Sequence, residues 1–141
     1  MNLENSLTYI KTRGSKSIKF SSDFPKDPIL IPINETLFDW VIENLCKNAM
    51  DATGGSGTVS LVCKETDHNV IIDIEDSGKG LAKSKFKTIF KPGYTTKKKG
   101  WGLGLSLSKR IIEEYHNGKI FVLSSEPGIK TTIRISLHKI I

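Results

Sequence analysis

Asn44 and Asn48 are four residues apart and Asp51 is three further on, so in a helical setting all three share one stripe. Neighbours of this kind sit about 5–6 Å apart, and two amide oxygens at that separation can hold one hydrated cation between them. Magnesium prefers hard oxygen ligands and keeps waters and substrate phosphates in its shell. Alternatively the pair is simply two solvent-facing polar positions, although asparagine is a mediocre helix former. A second constellation is Asp76-Ser77-Gly78-Lys79-Gly80-Leu81, behind a run that ends Ile74-Glu75. A carboxylate at a strand end can accept a hydrogen bond from an exocyclic amine such as that of adenine, and flanking glycines let a ligand approach the backbone. Asp-Ser-Gly is equally an ordinary turn. The third is Gly100-Trp101-Gly102-Leu103-Gly104-Leu105. Glycines ahead of a helix let exposed N–H groups and the helix dipole face phosphate oxygens. This run is no dinucleotide fingerprint, because its third glycine comes too soon and no strand precedes it. Nor is it a Walker loop, for it lacks Gly-Lys-Ser/Thr.

Charge adds to the third constellation. The chain of 141 residues has a net charge of +6, yet Lys79 to Arg110 holds ten basic and no acidic residues, which leaves the remainder at −4. Lys97, Lys98 and Lys99 lie directly before the glycine run. Such a local field attracts a polyanion, a nucleotide polyphosphate or a nucleic acid backbone, or else it is a solvated face for solubility. Against nucleic acid, the lysines cluster around glycines instead of interleaving with aromatics.

These groups need elements to carry them. Leu37, Phe38, Val41, Ile42, Leu45 and Ala49 recur at steps of three and four, which predicts a helix from a cap at Asn34 to about Ala52, ended by Thr53–Gly57. Thr58–Lys64 and Val70–Glu75 read as an antiparallel hairpin around Thr66–Asn69, which puts Asp76 at a strand end. Ile18–Phe20 and Ile29–Ile31 are further strand candidates. From Gly78 to Gly102 the chain reads as a long mobile loop with a short helix around Lys83–Phe90. A second helix is predicted from Leu103 to about His116, stopped by Asn117-Gly118. Lys119–Ser124 and Thr131–Leu137 are the last strands, flanking Glu126-Pro127-Gly128. A sheet plus helices in two layers is an α+β arrangement.

Composition agrees with one folded domain: 38% of the residues are hydrophobic and 26% charged, which excludes a disordered or collagenous chain. No apolar run approaches the roughly 20 residues of a membrane span, and the first residues lack the order of a signal peptide. Cys46 and Cys63 read as small buried hydrophobes in a reducing compartment.

The order ENLCKNAMDA, DSGKGL, FKTIFKPGYTTKKKGWGLGLSLSKRIIEEYHNGKI, GIKTTIRI resembles the catalytic and ATP-binding domain of sensor histidine kinases. There these segments are called the N, G1, F, G2 and G3 boxes, and the resemblance covers residues 35–137. It implies a two-layer α/β sandwich of Bergerat type, a mixed sheet covered on one face by helices. A flexible lid at about 82–101 would close over ATP. Residues 17–141 would form that domain, behind a connector at 1–16. The resemblance implies that Asn44 and Asn48 serve Mg2+ and the phosphates, with Asp51 beside them. Asp76 should bind the adenine amine, and Gly78, Gly80 and Leu81 should line the base pocket. Thr95, Thr96 and Lys97 would contribute from the lid, and Gly100, Gly102, Leu103, Gly104 and Leu105 would hold phosphates. Thr131 and Thr132 would close the adenine end. Three positions depart from the pattern: Gly93 replaces a usual aromatic, Trp101 a usual small residue, and Ala52 an aromatic that stacks on the base in many members.

The same fold resembles gyrase-, Hsp90- and MutL-type ATPases and serine kinases acting on anti-sigma partners. In those a glutamate four residues before the second asparagine activates water or a hydroxyl, whereas here, as in histidine kinases, that position is Asn44. Transfer rests mainly on positioning and charge neutralisation, so the amide favours transfer over hydrolysis. A GHKL-type ATPase or a catalytically inactive nucleotide-binding module is the alternative. Glu43, about 100° around the helix, reads as structural. None of His68, His116 and His138 has the setting of a phosphoacceptor. The implied partners are a separate dimerisation and histidine phosphotransfer segment and, downstream, a response-regulator receiver domain, without nucleic acid or membrane contact by this domain. The expected location is cytoplasmic, with a membrane anchor left open for the full-length protein.

Overall fold

Asn34 starts the first helix by satisfying donors that a helix N-terminus leaves orphaned. In the computed structural model, which describes residues 18–25, 33–93, 104–126 and 128–139, helix α1 runs Glu35–Ala52. The Asn34 side chain accepts the Leu37 N–H at 3.1 Å, and its carbonyl accepts the Phe38 N–H at 2.8 Å. Phe38, Val41, Ile42, Leu45, Cys46 and Ala49 are buried along one stripe. At the other end the Thr53 hydroxyl donates to the Met50 carbonyl at 2.6 Å, and Gly54, at φ +69°, turns the chain away.

The strands are β1 Ile18–Asp23, β2 Gly57–Glu65, β3 Asn69–Asp76, β4 Lys119–Glu126 and β5 Lys130–His138. They form one sheet in the order β1-β2-β3-β5-β4, with β1 and β2 parallel and the other pairs antiparallel. The sheet is therefore mixed, as expected. Alternation along each strand turns Val59, Leu61, Ile72, Ile74, Ile120, Val122, Ile135 and Leu137 toward the helices, where they join the α1 stripe in one core. On the other face Asp73 and Arg134, opposite each other in register, pair through two bonds of 2.8 and 2.9 Å. Both cysteines are free and buried. Burial, with Glu43 adding for the first and Glu65 for the second, pushes the Cys46 thiol up to about 12 and the Cys63 thiol up to about 11. They stay protonated near neutrality, in keeping with a packing role.

Two predicted helices differ from what forms. Lys83–Phe90 is two separate 3-10 turns, Lys83–Lys85 and Thr88–Phe90, neither of which has a side-chain cap. Eight residues without a cap cannot offset helix nucleation, and what holds the segment is the burial of Ile89 and Phe90. The second helix, α2, runs Gly104–Arg110 and continues as one π turn, Ile111–Tyr115. The His116 imidazole stands at the end of this turn. Its Nδ1 lies 2.9 Å from the Ile111 carbonyl, and its Nε2 accepts the Asn34 N–H at 3.0 Å. With Nε2 an acceptor, Nδ1 carries the proton and donates to Ile111. The ring also meets Phe38 edge-on at 5.9 Å. Asn117, at φ +53°, and the Gly118 N–H on the Ile112 carbonyl at 2.9 Å then end the helix. Leu103, the strand expected at Ile29–Ile31, the connector at 1–16 and the later part of the expected lid lie outside the described residues. Among the described residues no helix is long and apolar enough to cross a membrane.

His116 thus ties the start of α1 to the end of α2. Its replacement, His116→Ala, leaves a donor and an acceptor unpaired and is expected to destabilise the fold by about 1–3 kcal/mol in denaturant unfolding. His138→Ala, at the exposed end of β5, is expected to change stability by no more than about 0.5 kcal/mol.

Candidate functional site

β3 and β5 finish side by side, with Ile74 opposite Ile133 and Asp76 opposite Thr131. All four face a cavity of about 470 Å³ between the sheet and the C-terminal half of α1. Leu45, Ala49, Ile74, Ile89 and Ile133 supply aliphatic walls, while Asn48, Asp51 and Lys79 supply polar groups. Asp76 is only 7% exposed, and one of its carboxylate oxygens accepts the Gly78 N–H at 2.9 Å. Burial pushes this carboxyl above the usual carboxylate range, and the Gly78 N–H partly restrains the shift. A carboxylate kept among aliphatic side chains gains most from a ligand that brings N–H donors to it.

The loop after Asp76 is fastened on both sides. The Ser77 N–H donates to the Thr58 carbonyl at 3.0 Å, while the Ser77 hydroxyl oxygen accepts the Thr58 N–H at 2.8 Å. The Lys79 N–H donates to the Ala52 carbonyl at 3.1 Å. Between these bonds, a Cβ on Gly78 would lie 2.3 Å from the Ala52 carbonyl oxygen and 2.8 Å from an Asp76 carboxylate oxygen. Glycine is required there for space. Gly80, at φ +80°, is required for its backbone and turns the chain back across the cavity. The Leu81 N–H then donates to Ser125 Oγ at 2.8 Å, and Ser125 Oγ lies 2.7 Å from Thr131 Oγ1.

The structure gathers Asn48, Asp51, Asp76, Gly80, Leu81 and Thr131 around one cavity, with Gly78 in the loop that closes it. Thr132 is elsewhere. Paired with Glu75, it alternates to the opposite face of the sheet and does not line the cavity. Asn44 lies one turn from Asn48 but outside the cavity lining, its Nδ2 donating to Ser108 Oγ at 3.0 Å. Gly104, the first residue of α2, faces the Asn44 carboxamide, and Leu105 packs against the core. Thr95, Thr96, Lys97, Gly100, Gly102 and Leu103 lie outside the described residues. Sequence reasoning missed the aliphatic walls as site residues, because Leu45, Ala49 and Ile74 carry the same signal as core. It also missed Ser125, whose one cue is a pair of serines in the strand before the final turn. An aliphatic slot with a buried carboxylate, and with an amide and a lysine on its lining, suits a flat amine-bearing ring with an anionic tail.

Known proteins resemble this chain in sequence and in fold. Residues 33–140 match the family described as histidine kinase-, DNA gyrase B-, and HSP90-like ATPase. Sporulation kinase A of Bacillus subtilis is 36% identical over 118 residues, covering 84% of this chain and 19% of that protein. The sensor histidine kinase ZraS of Salmonella typhimurium is 47% identical over 87 residues, covering 61% of this chain and 18% of that one. The chain thus spans about a fifth of the length of these two curated relatives. Among solved structures, the catalytic domain of the histidine kinase ThkA aligns with a TM-score of 0.82 at 28% identity, over 98% of this chain and 95% of that one. ThkA in complex with the response regulator TrrA aligns with a TM-score of 0.80 at 26% identity, over 99% and 41%. The chain belongs to the histidine kinase-, DNA gyrase B- and HSP90-like ATPase family, as a catalytic, ATP-binding domain of the sensor histidine kinase type.

Proposed function

We propose that this domain binds magnesium–ATP in the cavity behind Asp76 and presents the terminal phosphoryl group to a histidine on a separate dimerisation helix. The observation that carries the reading is the buried Asp76 carboxylate facing an aliphatic slot, with its loop locked to the end of α1. In this reading Asp76 accepts a hydrogen bond from the adenine amine, and Ile74, Ile133 and Ala49 sandwich the base. Thr131 closes the base end through its contact with Ser125. Asn44 and Asn48 offer amide oxygens to the cation and phosphates, Asp51 and Lys79 stand at the mouth, and Lys97 and the glycine run into Gly104 take the phosphate oxygens. Bound magnesium–ATP supplies the electrophilic phosphoryl group and the charge that offsets its oxygens.

The chain's own residues favour transfer over hydrolysis. Asn44 stands where the related ATPases place a water-activating glutamate, and an amide cannot take a proton from water. Glu43 does not line the cavity. The acceptor histidine belongs to another segment: His116 is locked between Asn34 and Ile111, and His68 and His138 are exposed at the end of the sheet away from Asp76. A receiver domain is the proposed downstream partner, in line with the ThkA–TrrA complex. Two free thiols and a need for ATP support a cytoplasmic location.

Calorimetric titration is expected to show ATP binding that strengthens with magnesium. Labelled ATP should leave no histidyl phosphate on this chain alone but should label a supplied helical segment bearing the acceptor histidine. No heat with ATP under any divalent cation would refute the proposal. Asp76 gives a second test. Its folded-state pKa is raised, so the free protein loses stability as pH rises through that value. Asp76→Asn keeps an acceptor for Gly78 and removes the buried charge. Its melting temperature is expected to exceed the parent's at pH 7, with the gap closing as pH falls below the folded pKa. ATP affinity should drop about tenfold or more, since a hydrogen bond to a charged group is worth about 1.5–3 kcal/mol. Unchanged affinity would remove Asp76 from base recognition.

A further inference from the structure

Ser108 is fully buried in α2, 64 residues from the asparagine it contacts. Serine is not favoured inside a helix by propensity, so its hydroxyl bonds are what distinguish it. That hydroxyl has one proton. Its Oγ lies 2.8 Å from the Gly104 carbonyl oxygen, and a backbone carbonyl can only accept, so the proton points there. Toward Asn44, at 3.0 Å, Ser108 then has only lone pairs to offer, and the carboxamide must turn its Nδ2–H to the serine. The Asn44 oxygen is thereby turned the other way. Gly104 leaves room for it, since a Cβ at that position would lie 2.7 Å from Oδ1. Carbonyl, hydroxyl and amide can be satisfied in one direction only, and that direction fixes which atom of Asn44 is free for a ligand. The choice matters because a hard cation takes an amide oxygen and is repelled by an amide N–H.

We infer that Ser108 is a positioning residue for Asn44: by accepting its Nδ2–H, Ser108 holds the Asn44 oxygen in the orientation that serves the magnesium–phosphate end of the bound nucleotide. It touches no nucleotide itself. The inference rests on the reading above, in which Asn44 faces the cation.

The test compares Ser108→Ala and Ser108→Thr with the parent by calorimetry with ATP, once with magnesium and once in chelator, alongside thermal melting. Ser108→Ala is expected to lose about tenfold of the affinity that magnesium adds, the scale on which residues behind a ligand act. Its affinity in chelator should stay within about twofold, and Ser108→Thr, which keeps the hydroxyl, should restore the magnesium effect. In an Asn44→Ala background, Ser108→Ala should add no further loss, because the two act as one unit. The inference is overturned if Ser108→Ala keeps the full magnesium effect, if it weakens binding equally with and without magnesium, or if the two losses add. Should Ser108→Ala fail to fold, the parent protein decides: the Asn44 side-chain N–H protons must exchange slowly with water, and exchange at the solvent rate overturns the inference. A parent that binds no magnesium–ATP would instead refute the functional reading, so the two failures are distinguishable.

Discussion

The close approach of Gly78 to the last turn of α1 is the constraint from which the rest of the site follows. A helix C-terminus leaves carbonyls without partners, and the Ala52 carbonyl finds one in the Lys79 N–H at 3.1 Å. That bond requires the backbone at residue 78 to lie where a Cβ would sit 2.3 Å from the same oxygen. The consequence reaches past the loop. Pinning the exit of β3 to the end of α1 sets the gap between helix and sheet, buries Asp76 at its floor and leaves the cavity of about 470 Å³ beside it. Alanine in place of Gly78 would have to shift backbone against backbone, which no side-chain rotation relieves.

A second pair of ties fixes α2 against α1. Near the cavity Asn44 bonds Ser108, and at the far end Asn34 bonds His116. Residues 34 and 44 are about 15 Å apart along a helix axis at 1.5 Å per residue. Two anchors at that spacing prevent α2 from turning about its own axis, so Gly104 is held where the Asn44 carboxamide needs space. The 3-10 turns before it are held differently, by Ile89 and Phe90 in the core and by Lys109 resting 5.8 Å over the Phe90 ring. The 3-10 turns are therefore supported by apolar packing, and α2 by polar anchoring.

What the sequence made legible was what its local pattern encodes. The stripe from Leu37 to Ala49 and the cap at Asn34 placed α1, and the alternation of β2, β3 and β5 placed the sheet and, through it, Asp76 and Thr131. The departures come from bonds between residues far apart in the chain. No local pattern announces that His116 will bridge Asn34 and the Ile111 carbonyl at the end of a π turn, or that Ser108 will take up one side of Asn44. Thr132 illustrates a different limit: its identity suits a nucleotide site as well as Thr131 does, and only the pleat of β5 puts one in the cavity and the other behind the sheet. The aliphatic walls were visible as hydrophobic residues but not as a site, because a residue lining a ligand slot and one lining a core bury the same surface.

Charge is sorted along the cavity in a way that bears on reaction type. The acid at the closed end, Asp76, is desolvated and restrained by one N–H, a setting that rewards a neutral donor and penalises a second anion. The other carboxylate that lines the cavity, Asp51, is exposed at the mouth with Lys79 on the same lining, where water and salt screen it. One and two turns before Asp51 the polar helix positions are amides, Asn48 on the cavity lining and Asn44 beyond it. In the proposed nucleotide complex a carboxylate at Asn44 would add a like charge near the phosphates, worth about 1–4 kcal/mol at 4 Å between the limits of bulk water and a protein surface. A hydrolase can accept that repulsion, because the same carboxylate activates water. A transferase whose incoming nucleophile is a neutral imidazole gains nothing from it. The Lys79 to Arg110 segment, with ten basic residues and no acidic one, extends the same logic to the phosphates of the proposed complex. An oriented amide at position 44 is thus the economical solution when the phosphoryl group is to be handed on and water kept out of the reaction.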